Sequence, residues 1–369
     1  MTIAFYISGH GFGHASRQIE IINALARRSP GIDVIVRTSA QRWLFDRTVR
    51  APFRWFEREC DPAVVQIDSL RLDIDETVRR AVEFYETFDQ RVIHEAAFLA
   101  EQRVTLVIAD APPLACAAAH RAGVPAIVVG NFTWDWIYSG YADRFETEAP
   151  AVIPITRDAY ALATEAWRLP MHGGFESIGR VTDLPFVARH ARTDLIRDDV
   201  LKELELPDDR PLALSSFGGY GVNGFDPAAL DCLEDWTVVM TGSDASAPLP
   251  DGVAYVQEPV MYDRGLRYQD LVAACDVVVS KPGYGIISEC IANDTAMLYT
   301  SRGRFVEYDV LVREMPRFLR SEFIEQESLL AGHWLDRLDA LLVSPPPAER
   351  PQTDGADVAA GMIVERFNV

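Results

Sequence analysis

Two stretches of this 369-residue chain concentrate side chains with usable chemistry. The first is GHGFGHASR, Gly9 to Arg17, directly behind the apolar run Ile3 to Ile7. Glycines at 9, 11 and 13 permit a tight turn from strand to helix. Backbone N–H groups at such a helix start favour a diphosphate or a developing anion. His14, at the start of the helix, can accept a proton at physiological pH. His10 either lines the turn or faces a substrate. The second stretch is SKPGYGIISEC, Ser280 to Cys290, which again follows an apolar run, again turns on glycines (Gly283, Gly285) and again opens a helix. Glu289, about one turn in, is placed to accept both ribose hydroxyls of a nucleotide whose phosphates rest on the turn. The bland alternative is an acid that stabilises the helix dipole by about 0.5 kcal/mol. SSFGGYG, Ser215 to Gly221, is a further phosphate-loop candidate through Ser216, Gly218 and Gly219.

These corners need strands and helices to hold them, and the sequence supplies both. Ile3–Ser8 reads as a strand, followed by a helix with Ala15, Ile19, Ile22 and Ala26 on one face. Strands at Ile32–Thr38, Val104–Ala109 and Pro125–Gly130 alternate with helical stretches at about Glu76–Gln102 and Ala115–Arg121. Unbroken β-branched runs such as AIVVG suit strands buried on both faces of a parallel sheet. The pattern restarts after residue 190 with PLALSSFGG, WTVVMTG, VAYVQEP, DVVVSKPG and AMLYTS. The expected fold is therefore α/β, with two Rossmann-like domains whose parallel sheets face each other across a cleft. The expected boundaries are an N-terminal domain over 1–180, a linker over 181–194, a C-terminal domain over 195–350, and a helix in 351–369 returning towards the first domain.

Composition narrows the function. Nearly half the residues are hydrophobic, so a folded chain is expected. The net charge of −20 argues against nucleic acid, whose phosphates it would repel, and against stable docking on an anionic membrane. No apolar run reaches the roughly 20 residues that span a bilayer, and no basic leader precedes the first strand. Five cysteines without a CxxC spacing point to a reduced, cytoplasmic setting and to no structural zinc. A dinucleotide fingerprint fails because His14 stands where a third glycine belongs, and no GxxxxGK[ST] occurs. The only DxD, at Asp73–Asp75, starts a helix away from the glycine turns, so no metal or other cofactor is expected.

Taken together, GHGFGHASR and SKPGYGIISE resemble GT-B glycosyltransferases of the UDP-sugar type. Their relatives include the peptidoglycan N-acetylglucosaminyltransferase, the monogalactosyldiacylglycerol synthases and the glycosyltransferase-like amino-terminal region of plant L-arabinokinase. No sugar-kinase domain is expected, so arabinokinase activity is not implied. The resemblance implies sugar transfer from a nucleotide-sugar, expected to be a UDP-sugar, to the hydroxyl of a small-molecule acceptor. It implies that His14 is the general base, that His10 and Arg17 lie towards the acceptor, and that Gly11 and Gly13 approach the donor. It matches the donor-holding glycine turn and glutamate to Gly283, Gly285 and Glu289 and a sugar-contacting loop to Glu307, Tyr308 and Asp309 of GRFVEYD; Ser216, Gly218, Gly219, Ser280, Lys281 and Ser288 are further expected donor contacts. Asp110, ending the strand TLVIAD, is placed to orient the imidazole and stabilise its charged form. Trp134, Trp136, Tyr138 and Tyr141 of NFTWDWIYSGY either stack on the acceptor or pack in the core. Two alternatives remain: an epimerase or hydrolase in which water replaces the acceptor, and a catalytically silent nucleotide-sugar-binding module.

Overall fold

The computed structural model describes residues 1–218, 221–233, 235–242 and 250–367. The chain forms two compact units. The first comprises Met1–Val65, Leu72–Val187 and Gln352–Val369, and the second comprises Gln66–Arg71 and Ala188–Pro351.

The first unit is built on a seven-stranded sheet. Its order from edge to edge is Arg54–Glu57, Asp33–Thr38, Thr2–Ile7, Leu106–Asp110, Ala126–Phe132, Glu165–Gly173 and Val181–Asp183. Every neighbouring pair is parallel. The three central strands are apolar on both faces because helices cover each side, as the unbroken valine and isoleucine runs require. Residues 181–183 pair with Glu165–Gly173. The segment expected as a linker from 181 is thus sheet at its start, and the crossing between units falls at residue 188.

The helix Gly13–Arg28 is buried over almost its whole first three turns, from His14 to Leu25. Its 3.6-residue stripe of Ala15, Ile19 and Ile22 meets the sheet, and the C-terminal helix Gly355–Phe367 packs on another flank. Ala356, Ala359, Ala360 and Ile363 of that last helix share the same core. Its ends are pinned by ion pairs from Arg27 to Asp357 and from Arg366 to the buried Glu165. The long helical stretch from residue 76 is two helices, Ile74–Glu86 and Phe88–Glu101, separated at Thr87.

The second unit carries six parallel strands in the order Val253–Gln257, Thr237–Gly242, Leu212–Ser215, Val277–Ser280, Ala296–Tyr299 and Ser321–Phe323. Both sheets start in the middle, grow to one edge and then return to the other side of the first strand. Each therefore has a switch point, where neighbouring connections diverge and open a crevice at the C-terminal ends of the strands. In the first sheet that point lies between Ile7 and Asp110, which are paired in register. In the second it lies between Ser215 and Val279.

Candidate active site

At the first switch point the chain leaves the sheet through Ser8 and turns into a helix at Gly13. Gly11 takes a φ of +65°, which side-chain-bearing residues adopt only with strain. A Cβ on Gly9 would lie 2.3 Å from the Ser39 hydroxyl, so the turn also needs glycine there for space. Gly13 meets neither restriction.

His14, Arg17 and Gln18 stand at i, i+3 and i+4 of the helix and so share one face. All three are buried, and all three converge on Asp110, the last residue of its strand. Asp110 Oδ1 accepts from His14 Nδ1 and from Arg17 Nη2, each at 2.7 Å. Its Oδ2 accepts from Arg17 Nε and Gln18 Nε2, each at 2.8 Å. Arg17 also donates through Nη1 to Asn131 Oδ1, and Asn131 in turn donates to the Pro170 carbonyl at 2.7 Å. Burial alone would push the Asp110 carboxyl up. The Arg17 guanidinium, followed by His14, outweighs it and holds the group far below the usual carboxylate range. An ionised Asp110 only accepts, so Nδ1 of His14 carries the proton and Nε2 is left as the basic nitrogen.

The His14 ring meets Phe132, edge-on at 5.4 Å between centroids, and Trp134, tilted at 6.4 Å, and those two rings also meet each other. His10, half-buried, makes edge contacts with both His14 and Trp134. Trp134 is itself wholly buried, stacks on Tyr138 and gives its indole N–H to Asp61 at 3.0 Å. Trp134, Tyr138 and Tyr141 are therefore interior packing and offer no exposed face for stacking on an acceptor. Trp136 is only partly buried, its ring lying where a Cβ on Gly173 would be. Arg17 is absorbed into the Asp110 network instead of facing outwards.

At the second switch point Ser280 donates to the Ser216 carbonyl, and the Ser216 hydroxyl pairs with Tyr268. The two strand ends are thereby laced together. Gly218 follows with φ of +68°, while Gly219 lies outside the described residues. The helix Tyr284–Asn293 opens directly after Gly283, and a Cβ on that glycine would sit 3.2 Å from Lys281 Nζ. The ammonium thus lies over the start of the helix. Burial first, and then the neighbouring Arg302 charge, bring its pKa down to about 7 against the opposing pull of Glu307. Arg302 reaches Glu307 Oε1 at 3.2 Å and covers the Phe305 ring at 3.5 Å. Tyr308 begins the next helix, its hydroxyl pushed up to about 12 chiefly by burial, and Asp309 beside it is exposed.

Two donor candidates are engaged locally. Ser288 donates to the Gly285 carbonyl of its own helix at 2.8 Å. Glu289 is buried and ion-paired with Arg189, whose guanidinium lies 5.5 Å from the centre of the Tyr268 ring. Sequence reading missed Arg189, Arg302, Gln18, Asn131 and Asp61. Of these only Gln18 left a local trace, as a polar residue at i+4 from His14 on a helix otherwise buried there.

The two parallel sheets share the GT-B fold of solved glycosyltransferases, and residues 1–151 match the family model described as glycosyl transferase family 1. The chain is 27% identical over 369 residues to the L-arabinokinase of Arabidopsis thaliana, matching 99% of its own length but spanning only 34% of that protein. It is 26% identical over 315 residues to a UDP-N-acetylglucosamine–N-acetylmuramyl-(pentapeptide) pyrophosphoryl-undecaprenol N-acetylglucosamine transferase of Clavibacter michiganensis subsp. michiganensis, covering 81% of this chain and 76% of that one. Among solved structures, the glycosyltransferase of kitacinnamycin superposes with a TM-score of 0.61 at 17% identity, over 98% of this chain and 95% of the other. The glycosyltransferase VinC, solved in complex with dTDP, superposes with a TM-score of 0.57 at 16% identity, over 100% and 96%. No helix among the described residues is long and apolar enough to cross a membrane.

Proposed function

We propose that this chain transfers a sugar from a nucleoside-diphosphate sugar, in the first instance a UDP-sugar, to a hydroxyl of a small-molecule acceptor. The observation that carries the reading is the buried His14–Asp110 contact at the C-terminal edge of the first sheet. It fixes the imidazole with Nε2 as its basic nitrogen, next to a glycine turn. In the proposed step the acceptor oxygen forms a bond to the anomeric carbon while the bond from that carbon to the phosphate oxygen breaks. The diphosphate leaves with the electron pair, and the acceptor's proton passes to His14 Nε2. Asp110 keeps the ring in the required tautomer and orientation.

The second unit is read as the nucleotide holder. Lys281 and the N–H groups at the start of Tyr284–Asn293 supply positive charge for the diphosphate. Glu289 is read as the ribose acceptor, which requires it to exchange Arg189 for sugar hydroxyls. The step is read as metal-independent, and the setting as cytoplasmic, which suits the buried free thiols Cys60, Cys116, Cys275 and Cys290. The choice of uridine rests on the named activity of the Clavibacter relative, and dTDP bound to VinC keeps thymidine in the panel.

A thermal-shift panel of UDP, GDP, dTDP and their sugars tests the reading. A ligand at a hundred times its dissociation constant stabilises the native state by about 2.7 kcal/mol. A panel without any shift would overturn the nucleotide-sugar assignment.

A further inference from the structure

Two buried carboxylates bear on His14, Asp110 in direct contact and Asp61 across the shared neighbour Trp134, and they are not equivalent. The charge of Asp110 is already matched by Arg17, which grips it through two nitrogens. Asp61 has no such match. It is buried, and its oxygens accept only from neutral groups, Ser8 Oγ at 2.9 Å and Trp134 Nε1 at 3.0 Å. Among the described residues it forms no ion pair with an arginine or lysine. Ser8 ties the two acids to one corner: its hydroxyl serves Asp61, and its backbone N–H donates to the Asp110 carbonyl at 2.8 Å. Trp134, the other donor to Asp61, lies against the His14 ring.

We propose that Asp61 is a positioning residue for proton transfer, the carboxylate whose charge balances the imidazolium formed when His14 takes up a proton. The inference rests on the glycosyltransferase reading only for the source of that proton. A buried carboxylate without a cation is costly, so the corner is poised to accept positive charge, and protonation of His14 makes the His14–Asp61 pair neutral. Asp110 also attracts a charge on His14, from 2.7 Å, but it shares its own charge with Arg17, whereas Asp61 shares its charge with no guanidinium among the described residues.

The titratable groups around Asp61 act on it unequally. Burial raises its carboxyl to about 6, and the charge of His14 is the largest influence pulling it down, ahead of the Ser8 and Trp134 hydrogen bonds; Glu59 pushes it up. Tyr85, Tyr138 and Cys60 complete the surroundings, all pushed up by burial and by Asp61 or other nearby acids, and so all neutral at physiological pH.

Trp134 provides a readout that needs no substrate. Its indole N–H is bonded to the titrating carboxylate, so its emission should follow the ionisation of Asp61. In the wild-type chain a fluorescence transition is expected near pH 6. It should vanish in Asp61→Asn, a variant that keeps both hydrogen bonds because the amide can donate to Ser8 and accept from Trp134. Trp134→Phe should lose the signal, which assigns it among the other tryptophans. In His14→Gln, and in His14→Asn should the first variant not fold, the midpoint should move up by about one pH unit, a tenfold change in proton affinity. Because linkage is reciprocal, that shift is also the help that Asp61 gives to a proton on His14. A transition that persists in Asp61→Asn, is missing from the wild type, or keeps its midpoint in the His14 variants would overturn the proposal. A failure to transfer sugar would leave this result untouched and count only against the assigned reaction.

Discussion

Replacing Asp110 by Asn probes what the carboxylate at the first switch point does. An acid that merely orients a histidine would lose some rate and little stability in this change. Here the acid takes four hydrogen bonds in complete burial, two of them from Arg17, which is itself buried. An asparagine oxygen can accept two of these, and its NH2 group must face donors. The guanidinium then keeps its charge without its anion. Breaking one side of a buried ion pair costs about 3–5 kcal/mol, and we expect that loss in the unfolding of the first unit at pH 7. Urea denaturation, fitted with a transition for each unit, is the assay, and the transition of the second unit should not move. Arg17→Gln should cost a comparable amount, yet the double variant should cost clearly less than the sum, with a coupling of about 1.5 kcal/mol or more. The pH dependence follows from the sign of the shift. Asp110 is depressed below its reference value of 3.8 in the folded chain, so its stabilisation is complete above that pH and is lost as the pH falls towards the folded-state value. The gap between wild type and variant should therefore be constant near neutrality and close in acid. A loss below about 1 kcal/mol, or additive behaviour with Arg17→Gln, would refute the ion-pair reasoning.

Three further outcomes are expected. His14→Ala should lower turnover by about 10²–10⁴-fold, once a donor and acceptor are identified, while UDP affinity by calorimetry stays within twofold. Glu289→Ala should weaken UDP at least tenfold through the loss of charge-assisted hydrogen bonds to ribose; unchanged affinity would mean that Glu289 serves only Arg189. Lys281, with its pKa near 7, is charged below that pH and neutral above it, so UDP binding should weaken as pH rises from about 7 to 9. Lys281→Met should bind more weakly at pH 7 and show a flatter profile over the same range.

The fold was largely legible because parallel sheets leave a strong trace. Runs such as AIVVG and DVVVS are apolar throughout, since helices cover both faces of their strands. The breadth of the buried surface on Gly13–Arg28 was not legible. Some of its extra buried positions share a core with Gly355–Phe367, more than 300 residues away, and others, His14, Arg17 and Gln18, converge on Asp110, while helical periodicity records one contact face. The start of the presumed linker was misread for a related reason. Val181–Asp183 is a short edge strand with exposed side chains, and such a strand carries no apolar alternation.

The candidate site was legible where chemistry and local geometry coincide in one stretch, and illegible where they are joined through space. Glycine turns, His14 and the strand-end Asp110 stand out because a strand C-terminus and a helix N-terminus are where reactive groups gather in α/β folds. What could not be read is how charge is shared among them. Arg17, which the resemblance sets towards the acceptor, lies on the same helical face as His14 and spends its charge on Asp110. That single pairing changes the roles of the remaining acids. With Asp110 neutralised, the uncompensated negative charge of the corner belongs to Asp61, which sits in the unpatterned segment DPAVV with nothing nearby in sequence to mark it. Likewise Glu289 looks from its helix position like an open ribose acceptor, and only the fold shows that Arg189 holds it. In both units the residue types mark a candidate site, while Arg17 and Arg189 decide how the charge of its carboxylates is shared.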